Sequence, residues 1–313
     1  MPSKIRFRDR ATFHDMENRL IAVRLSAQQL SDPRFDDPRA LVRWMGAVQA
    51  QDYRAVRWAV GIRLRTASLR AVDRALERGE ILRTHVMRPT WHLVAAEDIR
   101  WMLRLSARRI RSANSSLARS RGLGIDDGMY SRSNRLIEKM LRGNLCLTKR
   151  QIADRFQAAG IAADTHFMTR YLMRAEADGI ICSGPDRAGQ FTYALLEERV
   201  APFPELTRDE ARAYFRSHSP ATVTDFVWWS GLSASDVRAA IGSIRDELET
   251  LRIGDRVWLI HRSWTDFPAP APALHLLPPY DEYLIGYRDR EPVLRAEHAP
   301  AAHNRWGVFY PVV

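Results

Sequence analysis

The residues in this chain whose types and spacing best suit chemistry are Gln49 and Gln51, two apart in the run Gln49-Ala50-Gln51-Asp52. Upstream, Leu41, Trp44, Met45 and Val48 form an apolar stripe at helical spacing, and the stripe stops at this run. Residues two apart lie about 200° apart around a helix but point the same way from an extended segment, so the amides converge only if the helix has ended. A glutamine oxygen can accept a hydrogen bond while its NH₂ donates elsewhere, but taken alone the pair means little. An amide is no proton acceptor at neutral pH, so the pair would position and stabilise rather than deprotonate. Two other readings stand beside this one. Glutamines at a helix end commonly cap backbone groups or meet water, and Asp52 would offer a carboxylate as a base. An Asp next to Arg54 and Arg57 is also an ordinary ion-pair partner.

Other chemistries have little support. The nine histidines include no HxxxH pair and no HExxH, and Cys146 and Cys182 lie 36 residues apart with no CxxC, so no metal site is expected. His85 and His92 read as structural or phosphate-facing. GxGxxG, GxxxxGK[ST] and GxSxG are missing, and no cofactor is expected. Trp228, Trp229, Tyr280 and Tyr283 could stack on an aromatic ligand, but buried packing is the stronger reading.

The charge points to a polyanion. Residues 1–150 hold 31 Lys+Arg against 15 Asp+Glu, net +16, while residues 151–313 hold 17 against 22, net −5. Such a one-sided basic field is what a phosphate-rich partner selects, although a solvated basic surface would look the same. With 46% apolar and 27% charged residues, the 313-residue chain reads as globular with more than one core. It has no apolar run of about 20 residues and its first ten residues are charged throughout, so a cytoplasmic placement without membrane insertion is expected.

The elements that must position these residues are mostly helices broken by short strand pairs, an α+β chain. In the first unit, 11–125, helical spacing covers Arg19–Leu30, Pro38–Ala50 and Ser68–Arg78, Ile81–Val94 alternates like a hairpin pinched near Arg88 and Pro89, and a basic helix runs over Ala96–Leu117. In the second, 130–200, Thr148 caps KRQIADRF, a turn follows, Thr165–Asp178 is a helix and IICSGPDRAGQFTYALL is a hairpin. In the third, 205–265, Thr207–His218, TVTDFVWWSG and a helix over Ser235–Leu251 precede strands around RIGDRVWLIHR. Each unit has the helix-turn-helix and wing order, so three tandem winged helices are expected. Arg170 and Arg174 lie on the second unit's recognition helix, whereas the third unit's helix is acidic and suits a scaffold.

Four stretches, in order, closely resemble signature blocks of the winged-helix DNA glycosylases of the AlkZ/YcaQ type: GAVQAQDYRAVRWAVGIRLR, ILRTHVMRPTWHLVAAEDIRWML, SPATVTDFVWWSGL and LLPPYDEYLIGYRDR. The resemblance covers nearly the whole chain. It implies a C-shaped body of three winged helices and a C-terminal β-barrel, here 266–313 and incomplete because the chain stops at NRWGVFYPVV. It also implies a monofunctional, cofactor-free glycosylase for N7-alkylated purines that can unhook interstrand crosslinks, acting as a monomer on double-stranded DNA. By the match, Gln49 and Gln51 are the catalytic pair, in the branch whose motif is Gln-aliphatic-Gln. Arg54, Arg57, Thr84, His85, Arg88, His92, Arg170 and Arg174 are the expected DNA-contacting residues. Ala50 is smaller than the usual aliphatic residue, and Pro89 and Trp91 stand where the family more often has Gly and Leu. The alternative is a non-catalytic winged-helix regulator or architectural protein; an enzyme acting on RNA is a weaker third.

Overall fold

The computed structural model describes residues 4–6, 13–202, 210–268, 273–304 and 309, which form a mostly helical α+β structure. Thr207, expected to open a helix, and most of NRWGVFYPVV lie outside the described residues. The chain divides into two compact units, one of Asp73–Leu206 and the other of Met1–Val72 with Thr207–Val313. The expected first unit, 11–125, is therefore shared between them. So is the basic excess: 22 Lys+Arg stand against 16 Asp+Glu in Asp73–Leu206, and 26 against 21 in the other unit.

Within 73–206, the hairpin Ile81–Val86 with Thr90–Ala95 pairs Thr84 with His92 across the strands. It turns through Met87 at φ 59°, Arg88 and Pro89, and leads into the long helix Ile99–Ser120. A helix over Asp127–Leu141, absent from the expectations above, precedes Lys149–Ala158 and Thr165–Ala177. Thr148 opens the Lys149 helix with a reciprocal capping box to Gln151, and Asp164 opens the next with two backbone bonds. Strands Ile181–Ser183 and Thr192–Leu195 pair antiparallel, and Leu147–Thr148 adds to the latter. Phe156, Tyr171, Ile152 and Leu195 are among the buried residues of this core.

The other unit packs Phe13–Ala27, Pro38–Met45, Tyr53–Gly61, Glu210–His218, Val223–Ser230 and Ala234–Ser243 around aromatic residues. Tyr214 stacks on Phe226 at 5.1 Å and lies 4.9 Å from Trp229, and all three are buried. The helix expected over Ser235–Leu251 stops at Ser243; Leu248–Ile253 is instead a strand paired with Arg256–His261 about a turn at Gly254. Leu251, Arg252 and Ile253 alternate in exposure there, the period of two that a strand imposes. Strand Asp266–Pro268 pairs with Lys4–Arg6, but among the described residues of 266–313 no closed barrel forms; short helices at Glu282–Ile285 and Ala299–Ala302 occupy that stretch.

The helix expected over Pro38–Ala50 likewise ends early, at Met45. Gly46 follows at φ 79° and ψ −66°, a conformation of the strained γ-turn type that only glycine adopts readily. A Cβ there would also sit 3.2 Å from the Trp229 ring. This stop frees Val48 and Gln49 to be extended. Gly46→Ala should therefore lower the unfolding free energy by about 1 to 3 kcal/mol, read from the urea midpoint at constant slope.

Candidate active site

Gln49 lies in the two-residue extended run Val48–Gln49 and is half-buried, Ala50 is buried, and Gln51 is exposed. Asp52 follows at φ −96° and ψ 115° as the N-cap of helix Tyr53–Gly61, an element the sequence pattern did not single out. Its Oδ1 accepts the Arg54 and Ala55 N–H groups at 2.8 and 2.9 Å. The side chain is thus engaged in starting a helix, a role that suits its type and position. Arg54 is exposed; Arg57 is half-buried with its guanidinium 5.5 Å from the Tyr53 ring.

The backbone of Gln49 is held from far along the chain. Its N–H donates to Glu282 Oε1 at 2.7 Å, across 233 residues. Glu282 opens the short helix Glu282–Ile285, N-capped by Asp281, and both acidic residues are buried. Asp281 is gripped by Arg63, whose Nη1 and Nη2 donate to its two oxygens at 2.8 and 2.6 Å. The remaining Arg63 donors reach the Gln28 and Ala59 carbonyls at 3.0 and 2.8 Å and Gln28 Oε1 at 3.2 Å, so all five are used. Gln28 in turn donates to Tyr287 Oη at 3.1 Å, and that hydroxyl, held protonated by burial, donates to the His218 carbonyl at 3.0 Å.

The second Glu282 oxygen lies 3.5 Å from His218 Nε2. His218 is fully buried and stacks on Tyr214 at 4.6 Å; burial pulls its pKa below the ordinary value, favouring the neutral imidazole at pH 7. Gly286 makes room for the pair, since a Cβ there would stand 2.9 Å from Glu282 Oε2 and 3.0 Å from the His218 ring. Of the aromatic candidates in this unit, Trp229 and Tyr283 are buried, Tyr280 is half-buried, and Trp228 donates to the Ile285 carbonyl at 3.1 Å.

In the 73–206 unit, Thr84 and His92 are fully buried, and His92 Nδ1 lies 2.9 Å from the Thr90 carbonyl oxygen. His85 is buried with Nδ1 2.6 Å from Glu176 Oε2, its ring 3.9 Å from that of Trp91. The Trp91 ring also carries the Arg83 guanidinium at 4.2 Å and meets Phe191 edge-on at 5.6 Å. Arg88 is half-buried at the hairpin tip. Arg170 is buried, which lowers its pKa, and Arg174 pairs with Asp178 and Asp127 at 2.9 and 3.2 Å. Among the described residues no group of three His, Cys, Asp or Glu is placed to hold a metal, and no helix is long and apolar enough to cross a membrane.

The family model described as DNA glycosylase AlkZ-like matches residues 42–313, which spans the glutamine run and the acidic pair that holds it. The chain belongs to the AlkZ-like DNA glycosylase family. It is an enzyme, a hydrolase of N-glycosyl bonds acting on DNA. A curated relative, the interstrand DNA cross-link repair glycosylase of Streptomyces sahachiroi, is 25% identical, with 91% of this chain and 82% of that protein covered. The solved structure of Streptomyces sahachiroi DNA glycosylase AlkZ superposes with a TM-score of 0.73 at 24% identity, covering 94% of this chain and 84% of that one. That likeness establishes the fold.

Sequence reasoning points to the glutamines but not to Arg63, Asp281 and Glu282. The only signal was an acidic pair inside the apolar stretch LLPPYDEYLIG, which implies burial and hence partners. Arg63→Met removes the partner of a buried carboxylate while keeping its bulk. The glycosylase should lose about 3 to 5 kcal/mol of stability in urea unfolding, more than any exposed arginine would cost.

Proposed function

We propose that this glycosylase hydrolyses the N-glycosidic bond of cationic N7-alkylated purines in double-stranded DNA and unhooks interstrand crosslinks, with Gln49 and Gln51 as its catalytic residues. The observation that carries the reading is the local backbone. The helix stops at Gly46, Gln49 is extended with its N–H fixed, and the adjacent carboxylate of Asp52 is occupied as a helix cap. What faces the substrate from this run is then a pair of amides. The S. sahachiroi relative named for crosslink repair supports the extension to crosslinks.

Amides suffice because of the leaving group. A purine alkylated at N7 is already cationic, so its departure needs no proton, and the sugar passes through an oxocarbenium-like state. What remains is to hold a water beneath C1′ and to face the developing positive charge with fixed dipoles, which are worth several kcal/mol when preorganised. The displaced nucleotide must leave the stack first, at a cost of a few kcal/mol that is least for a damaged base.

The finer architecture belongs to the same proposal: winged helices at 11–125, 130–200 and 205–265 in a monomer bound to the nucleoid. Arg54, Arg57 and Arg88, whose side chains are exposed or half-buried, suit phosphate contact. Thr84, His85, His92 and Arg170 are buried and Arg174 is ion-paired, which supports a role in shaping the hairpin and recognition helix behind the DNA-facing surface.

With duplex containing 7-methylguanine, Gln49→Ala and Gln51→Ala should each slow single-turnover base release by about 10²- to 10³-fold, the scale of losing one preorganised dipole. The wild-type rate should be nearly flat from about pH 5.5 to 8, above the reference carboxylate range. A titration in that window that disappears in Asp52→Asn would transfer the role to Asp52. Arg88→Ala should weaken binding to unmodified duplex and reduce the slope of log affinity against log salt by about 1; an unchanged slope would place Arg88 off the phosphates.

A further inference from the structure

From the geometry around Gln49 we infer that Glu282 is its positioning residue: the carboxylate sets the direction of the catalytic amides by holding the Gln49 main chain, without touching substrate. The inference rests on the reading of Gln49 and Gln51 as catalytic.

The chain closes a ring here. From Gln49 it runs through the Asp52 cap and helix Tyr53–Gly61 to Arg63, crosses the ion pair to Asp281, and returns from Glu282 Oε1 to the Gln49 N–H at 2.7 Å. Asp52, Arg63 and Asp281 make the ring stiff, because each joint is a capping bond or a two-pronged ion pair. Glu282 closes it. Its carboxylate is fully buried and confined on its other side, where Oε2 faces His218 Nε2 at 3.5 Å in a space that Gly286 leaves open. A bond to a main-chain N–H fixes the rotation of that peptide plane. Gln49 ends the extended run Val48–Gln49, so that rotation sets where its own side chain points and the path by which the chain enters the bend at Gln51. A misplacement of about 1 Å from a remote residue can cost 10²-fold in rate.

The deciding property is the reach of the acceptor oxygen, and two variants separate reach from charge. Glu282→Asp keeps the charge and withdraws the oxygen by one methylene; Glu282→Gln keeps an oxygen in place and drops the charge. Single-turnover release of 7-methylguanine should fall about 10²-fold in E282D, with affinity for unmodified duplex within about two-fold of wild type, and E282Q should recover at least about ten-fold of that loss. E282Q as slow as E282D, or E282D at the wild-type rate, would overturn the inference. Thermal melting of each variant reports whether it is folded. Should either fail to fold, the wild-type protein gives the answer: its Gln49 amide proton should resonate well downfield of the random-coil range, and a random-coil position would refute the bond. Wild-type rates in Q49A and Q51A would defeat the catalytic reading itself, whatever the Glu282 variants do.

Discussion

A guanidinium taken out of water is costly unless its donors find acceptors, and Arg63 meets that demand with five. Its grip on Asp281 brings the segment carrying Glu282 against the segment carrying Gln49, residues more than two hundred positions apart in the chain. No local propensity could do this. Between the glycine stop and the helix cap only Val48 and Gln49 are extended, too short a stretch to hold its own direction, and the buried polar network fixes the Gln49 N–H. Such a network is exacting, since removing one member leaves the others buried and unpaired.

The same unit shows how aromatic packing and polar satisfaction are combined. Tyr214, Phe226 and Trp229 make a dry core, and His218 at its edge stacks on Tyr214 while its ring nitrogen faces the Glu282 carboxylate. Asp225 completes a capping box with Thr222 and also accepts the Arg288 and Asp289 N–H groups at 2.8 and 3.0 Å, fastening the segment after Glu282 to helix Val223–Ser230. Arg24 lies 3.7 Å over the Tyr287 ring and donates to the Pro220 carbonyl. Two of the four signature stretches, around Thr222 and around Asp281, are thus hydrogen-bonded to each other, and the second also holds the Gln49 main chain.

Much of this is legible in the sequence where the signal is local. Thr148, Ser68 and the alternation through Ile81–Val94 announce a cap, a helix start and a hairpin, and all three are present. The stop of the apolar stripe locates the glutamine run, although the helix ends at Met45, because Gly46 acts as a terminator while Val48 beyond it still fits the helical stripe. Leu248–Ile253 escapes a reading by periodicity because Leu248 and Leu251 are spaced as well for a helix as for a strand edge. The clamp is not legible. Its members are single charged residues scattered over the chain, and only the three-dimensional closure shows that Arg63 meets Asp281 and Glu282 meets Gln49. Burial likewise separates Thr84, His85, His92 and Arg170 from Arg54 and Arg88, a distinction that residue type alone does not make.

Whether the Gln49 N–H is locked to a buried carboxylate in solution decides whether the amides have a fixed direction at all. Native-state amide hydrogen exchange measures this without any substitution. If the clamp holds, the Gln49 amide should exchange only through global unfolding, with an opening free energy equal to that of the slowest core amides of its unit. Exchange at the rate of an exposed turn, with the rest of the unit still protected, would mean the run moves freely and would contradict the role given to Glu282.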